Sequence, residues 1–210
     1  MKETKLLGTT ITSDLSWNKN TDKIVKETNK RMQLLHKASK FTNNTKDLKQ
    51  IYMLQIRSKL DQSAVVWHSS LTNKNRSDLE RVQKSALKLI LGTRYESYDD
   101  ALKILSLDTL DKRRDDMCLK FAKQCLKLNK MKELFPLYES DHPMQKRYSY
   151  VYQGVRAYTE RFRKSAIPAM VKMLNDCEAD KKRKFKKLDA LVPVNYVSSS
   201  PYHCDNKNIQ

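Results

Sequence analysis

The chain of 210 residues suits one or two domains, and its 3 glycines and 5 prolines are too few for the turns of a many-stranded β-sandwich. Lys and Arg outnumber Asp and Glu by 42 to 24, and a net charge of +18 repels itself in a compact state unless salt or a polyanion screens it, so nucleic acid or an anionic membrane surface is the expected kind of partner. No apolar run is long enough to span a bilayer, MKETKLLGTT does not read as a signal peptide, and four well-separated cysteines suit a reducing intracellular compartment, nuclear or cytoplasmic.

Along the chain, residues 5–12 (KLLGTTIT) predict a short strand that ends at the turn-like TSDLSWNKN and has no second strand nearby to pair with it. A helix follows from about Lys19 to Phe41. Ile24, Val25, Thr28, Met32 and Leu35 share one face, and Lys19, Lys23, Lys26, Lys30 and Lys37 line the other. A second helix is expected from near Lys46 to near Trp67, capped by Asn44 or Thr45, with its later half buried. The third, from about Asp78 to Leu91, puts Leu79, Val82, Ala86, Leu89 and Ile90 on its apolar face and Arg81, Lys84 and Lys88 opposite. Ser77 and Glu80 have the spacing of a capping box at its start, and Gly92 supplies the left-handed position at its end. A short helix at Tyr98–Leu105 precedes a longer one from near Thr109, whose core stripe is read as Leu110, Met117, Phe121, Cys125 and Leu128.

After LFPLYESDHP the pattern changes. Residues 146–164 interleave Tyr, Phe and Arg, and Tyr148, Tyr150 and Tyr152 alternate as in an extended segment. A short helix is expected at about Ala166–Asn175, with Pro168 tolerated in its first turn. KKRKFKK at 181–187 is a dense basic run leading into a tail without globular composition. The expected fold is mainly α: a helical bundle with a short N-terminal β-segment and a partly disordered basic C-terminal tail.

Few residues invite chemistry. Cys118 and Cys125 lie seven apart and His203–Cys204 sits in the tail, but no close cysteine pair of the kind zinc uses is present, so no metal site is expected. His68 reads as a helix-end residue. Asp99–Asp100 and Asp115–Asp116 are neighbours in sequence only, and sequence neighbours point in different directions from a helix. No phosphate-binding loop, nucleophile elbow or dinucleotide fingerprint occurs, so no cofactor is expected. What recurs is basic charge. For a single helix, outward lysines are most simply solvated. Two helices with the same split, together with the Tyr/Arg segment and KKRKFKK, favour contacts to phosphates that do not read sequence. Lys146, Arg147, Arg161 and Arg163 join that set, and Tyr148, Tyr150, Tyr152 or Phe162 could stack on unpaired bases, although alternating tyrosines are also ordinary strand residues. Lys181, Lys182, Arg183 and Lys184 also resemble a nuclear-import signal.

Several segments, in order, resemble one family. KLLGTTITSDLSWNKN is similar to the junction at which the palm of a non-LTR retrotransposon reverse transcriptase passes into its thumb, with Asn20 where that junction usually has His. IYMLQIRSKLDQSAVVWHSS resembles the thumb helix of jockey-like elements, ending in Trp67, His68 and Ser69. LERVQKSALKLILG resembles the helix that follows, through Leu79, Glu80, Gln83, Ala86, Ile90 and Gly92. YDDALKILSLDTLDKRRDDMCLKFAKQ and VRAYTERFRKSAIPAMVKMLN resemble the post-thumb region.

The resemblance covers about residues 5–175 and implies residues 1–17 as a remnant of the junction strand, 18–135 as the thumb and post-thumb bundle, 136–177 as the Tyr/Arg-rich segment and short helix, and 178–210 as the basic tail. It implies a template–primer of RNA or DNA as partner, with Lys23, Lys26, Lys30, Arg81, Lys84 and Lys88 on phosphates. The family's metal-binding palm aspartates and Tyr-x-Asp-Asp loop have no match, so the chain is expected to be an open-reading-frame remainder begun at an internal Met, without polymerase activity. The alternatives from other classes are a helical scaffold for an acidic protein partner and a genomic relic with no selected role.

Overall fold

In a computed structural model of the chain, which describes residues 3–138 and 151–191, the expected lone strand folds back on itself. Glu3–Leu6 (β1) pairs antiparallel with Thr9–Thr12 (β2), and Leu6 faces Thr9 across a two-residue turn. The partner that KLLGTTIT lacked is therefore supplied by its own first residues and by the residues just upstream. Leu7 (φ 47°) and Gly8 (φ 84°) both adopt the positive φ that this tight turn requires. Glycine does so freely, whereas the Leu7 Cβ is crowded. Leu7 is also 90% exposed, so its side chain packs against almost nothing. Leu7→Asn is expected to raise stability by about 1 kcal/mol, read as a higher urea midpoint at unchanged slope.

The long helix Asn18–Phe41 (α1) forms as expected. Ile24, Thr28 and Leu35 are buried, and Val25 and Met32 pack at the core's edge. The second helix is not continuous. Asn44 caps Thr45–Ile51 (α2), its side chain accepting from Lys46 N at 3.0 Å. Tyr52–Arg57 then widens into a π-turn before Ser58–Leu60 (α3). With i→i+5 bonding, residue 57 rises almost over residue 52, so Tyr52, Ile56 and Arg57 are all buried. The helix stops at Asp61–Ser63, where Ser63 takes φ 54°, and resumes as Ala64–Trp67 (α4) and a 3-10 turn at His68–Ser70.

The helix expected from Asp78 begins earlier, as Asn73–Leu91 (α5). Thr72 caps it by accepting from Asn75 N at 3.2 Å, so the amide of Ser77 is already inside the helix and the Ser77–Glu80 capping box does not form. Glu80 is turned to another use. Its carboxylate accepts from Leu110 N at 3.1 and 3.3 Å and so caps the amino end of a later helix, Leu110–Cys125, with Tyr98 Oη donating to it as well. Gly92 ends α5 at a positive φ of 53°, which glycine adopts freely, but its ψ of −123° departs from the left-handed helical position expected there. Ser97 then caps Tyr98–Ile104 (α6), which precedes Leu110–Cys125 (α7).

The stripe that α7 buries is Leu110, Arg114, Cys118, Ala122 and Cys125, which corrects the expected one: Phe121 and Leu128 are exposed. Arg114 takes the central place because its guanidinium lies over the Trp67 ring at 5.1 Å and donates to Leu60 O at 3.1 Å. Beyond Asn129–Lys132 (α8), Leu137 bridges Tyr152, and Glu160–Arg163 (α9) leads into Ala166–Leu191 (α10). The last helix is much longer than the expected Ala166–Asn175 and carries the chain through the basic run at 181–187.

Two cores result. The larger joins α1–α7 around Trp67, Leu79 and Leu87. The smaller sets Cys118, Ala122, Cys125 and Phe135 against Met170, Val171 and Leu174, so apolar packing crosses the boundary expected after residue 135. Burial pushes the Cys118 thiol up to about 11 from 9.0, with Asp115 adding to it, and burial likewise raises Tyr52 and Tyr98. The folded state thus keeps protons that the unfolded state releases above pH 9.0, and stability falls as pH rises. The urea midpoint is expected to drop steadily between pH 9 and about 11, and Cys118→Ala to shallow that drop.

Candidate nucleic-acid interface

Two hydrogen bonds show how α1 and α5 lie together. Asn75 Nδ2 donates to Asn18 Oδ1 at 2.9 Å where both helices begin, and Arg94 donates to Thr45 Oγ1 just beyond where both end. The two helices are therefore parallel, and they share the most extensive helix–helix packing among the described residues. Their apolar faces close on one side. On the other they leave a groove of about 600 Å³, lined from α1 by Asp22, Val25, Lys26, Asn29, Lys30 and Gln33 and from α5 by Asp78, Arg81, Val82 and Ser85.

Residues at three- and four-residue spacing on each helix thus form the two walls. Lys26, Lys30 and Arg81, expected from separate basic faces, meet in one place. Arg81 has a partner there, Asp78, at 3.2 Å, while Lys26 and Lys30 make no ion pair with a described residue. Asn29, Gln33 and Ser85 add neutral hydrogen-bonding groups that charge patterning does not single out. The signal for them is spacing, since each sits one helical turn from a groove lysine or arginine.

The remaining candidates separate. Lys23 faces an adjoining hollow of about 590 Å³ with Glu3, Thr4, Lys5, Thr10 and Lys19. There Lys19 donates to Glu3 at 2.8 Å, which holds the lysine above and the carboxyl below their ordinary pKa ranges. Lys84 and Lys88 are exposed on α5 outside the groove, and the Lys88 ammonium lies 5.4 Å from the Tyr95 ring centre. Arg161 donates to Asp14 O and ties α9 to the turn after the hairpin, while Arg163 pairs with Glu160. Lys181 pairs with Glu178 at 2.6 Å and Arg183 with Asp180 at 3.6 Å, both along α10.

Tyr152 is half-buried in the smaller core, and both its backbone groups bond to the Asn175 side chain, at 2.9 and 3.0 Å. Its ring is thereby committed to packing, unlike a free stacking platform. Lys146, Arg147, Tyr148 and Tyr150 lie outside the described residues, as do the side chains of Lys182 and Lys184.

The buried polar groups are the residues least visible in the sequence. Asp61 accepts from Arg113 Nε at 2.6 Å and lies 3.8 Å from Arg114 Nε, with Arg57 buried close by. Burial lowers Arg57, and the neighbouring Arg113 charge lowers it further. Fully buried His68 sits 3.0 Å from Asp115 and receives Arg76 on its carbonyl at 3.1 Å. Gln83 accepts from Tyr52 Oη and donates to Tyr98 Oη at 2.8 Å and to Asp108 O at 3.0 Å. These groups hold helices together and lie apart from the groove.

Among the described residues no group of three or more His, Cys, Asp or Glu side chains is placed to hold a metal ion, and no helix is long and apolar enough to cross a membrane. No family model, curated protein or solved structure matches the chain.

Proposed function

We propose that the chain is a helical nucleic-acid-binding module that grips the phosphodiester backbone in the α1/α5 groove and does no chemistry of its own. One observation carries the reading: two basic faces, each explicable alone as a solvated helix side, converge on a single groove at Lys26, Lys30 and Arg81. Ammonium and guanidinium groups neutralise phosphates, and Asn29, Gln33 and Ser85 add donors for phosphate or sugar oxygens. Contacts of this kind to phosphate and sugar oxygens carry no base information, so the binding is read as indifferent to sequence. The net charge of +18 supports it by drawing a polyanion toward any face.

The resemblance to the thumb and post-thumb region of a jockey-like non-LTR reverse transcriptase fits this reading, with a template–primer as the ligand. The hairpin at Glu3–Thr12 supplies the strand at 5–12 with a partner from its own first residues, so that strand does not need a palm strand to pair it.

The test is affinity for duplex and single-stranded DNA and RNA across a salt series. Log affinity is expected to fall linearly with log salt, with a slope of about 0.9 per duplex phosphate neutralised. Absence of binding at low salt would sink the reading, and a saturable acidic protein partner under the same conditions would favour the scaffold in its place.

A further inference from the structure

The edge of the hairpin away from α1 is open, and its sequence is complementary to itself. Thr10 N donates to Asn20 Oδ1 at 3.0 Å, so this amide points off the sheet toward the start of α1. Thr10 faces Lys5 across the ladder. In an antiparallel pair, residues whose bonds point outward on one strand face residues whose bonds point outward on the other. Lys5 and, two residues along, Glu3 therefore direct their backbone N–H and C=O groups away from β2. On the β2 side Asn20 covers the edge. On the β1 side no described residue does, and every residue of β1 is exposed. Leu6 and Leu7, 60% and 90% exposed, continue the uncovered surface. Such a row of unpaired groups is a template for another strand.

We infer that β1 pairs antiparallel with β1 of a second copy of the chain, about a two-fold axis at Thr4, giving a four-stranded sheet in the order β2–β1–β1–β2. About that axis Lys5 faces Glu3 of the second copy twice over. Each of these pairs exchanges two backbone hydrogen bonds, and each sets opposite charges across the strands. The two Thr4 residues form the intervening close pair, which suits threonine. Shifting the register by one residue, which moves the axis half a residue, breaks the bonding, because the outward groups then face inward ones. Centring it on Lys5 sets lysine against lysine, and centring it on Glu3 sets glutamate against glutamate. Only the Thr4 register combines bonding with charge. Glu3 keeps its bond from Lys19 through Oε2, which leaves Oε1 for Lys5 of the second copy.

The test is sedimentation of the full chain over a concentration series, with circular dichroism confirming that each variant is folded. The wild type is expected to pass from monomer to dimer. Glu3→Lys and Lys5→Glu each place like charges across the interface and should sediment as monomers. An equimolar mixture of the two restores both opposite-charge pairs and should sediment as a dimer. Lys5→Pro removes an outward N–H without removing a bond within the hairpin, and it should also stay monomeric. A wild type that is monomeric at about 1 mM, a dimer that survives in both charge variants and in Lys5→Pro, or a mixture that stays monomeric would each overturn the proposal. The outcome does not depend on nucleic-acid binding by the groove.

Discussion

Replacing Arg114 with alanine is expected to lower the stability of the fold by about 3–5 kcal/mol, a large fraction of the roughly 5–15 kcal/mol that holds a domain folded. The side chain is only 1% exposed and serves three partners at once. It donates to Leu60 O at 3.1 Å at the end of α3, lies over the Trp67 ring at 5.1 Å, and sits 3.8 Å from the Asp61 carboxylate. Alanine would leave that carbonyl unpaired and open a cavity against the largest side chain of the core. It would not orphan Asp61, which keeps Arg113 at 2.6 Å. Arg114→Met, which fills most of the volume, should therefore lose clearly less than Arg114→Ala. Urea unfolding of the three proteins at neutral pH measures the difference. A loss below about 1 kcal/mol for alanine would show that Arg114 is dispensable to packing.

The second large effect concerns binding. Changing Lys26, Lys30 and Arg81 together to glutamine is expected to shallow the dependence of log affinity on log salt by about 2–3 for duplex, roughly one for each phosphate that is no longer neutralised. Changing Lys84 and Lys88, which have the same charge but lie outside the groove, should alter the slope less per side chain. A uniform field predicts no such ranking, since every cation would then count alike. The comparison separates a built groove from a generally basic surface. Equal slope changes per charge would remove the groove's special role while leaving nucleic-acid binding intact. All these side chains are on exposed or groove-lining positions, so the unfolding midpoints of the variants should stay close to that of the wild type.

Local chemistry was enough for the elements that depend on their own residues. The α1 face of Ile24, Thr28 and Leu35, the Asn44 cap, the end of α5 at Gly92 and the tolerance of Pro168 in the first turn of α10 all rest on spacing, capping and φ preference. The mainly α character followed from the same signals. The misread elements are those where a distant partner decides. Glu80 has the spacing of a capping box, yet the chain gives it to the amino end of α7, because Thr72 already caps α5. Residues 110–128 carry two apolar stripes at helical spacing, and periodicity alone favoured the one without an arginine. Trp67, Leu60 and Asp61 selected the other by giving Arg114 somewhere to put its charge.

The candidate interface divides in the same way. The amino-acid sequence by itself determined that α1 and α5 each carry a basic face and that the chain as a whole attracts polyanions, because helical period and charge are local quantities. It could not determine which of those faces meet, since that depends on whether the helices run parallel and on how far one slides past the other. The apolar packing of α1 on α5 decides both, and the bonds between Asn18 and Asn75 at one end and between Thr45 and Arg94 at the other mark the result. The tertiary structure alone places Lys26, Lys30 and Arg81 in one groove, leaves Lys84 and Lys88 outside it, and turns the edge of β1 outward.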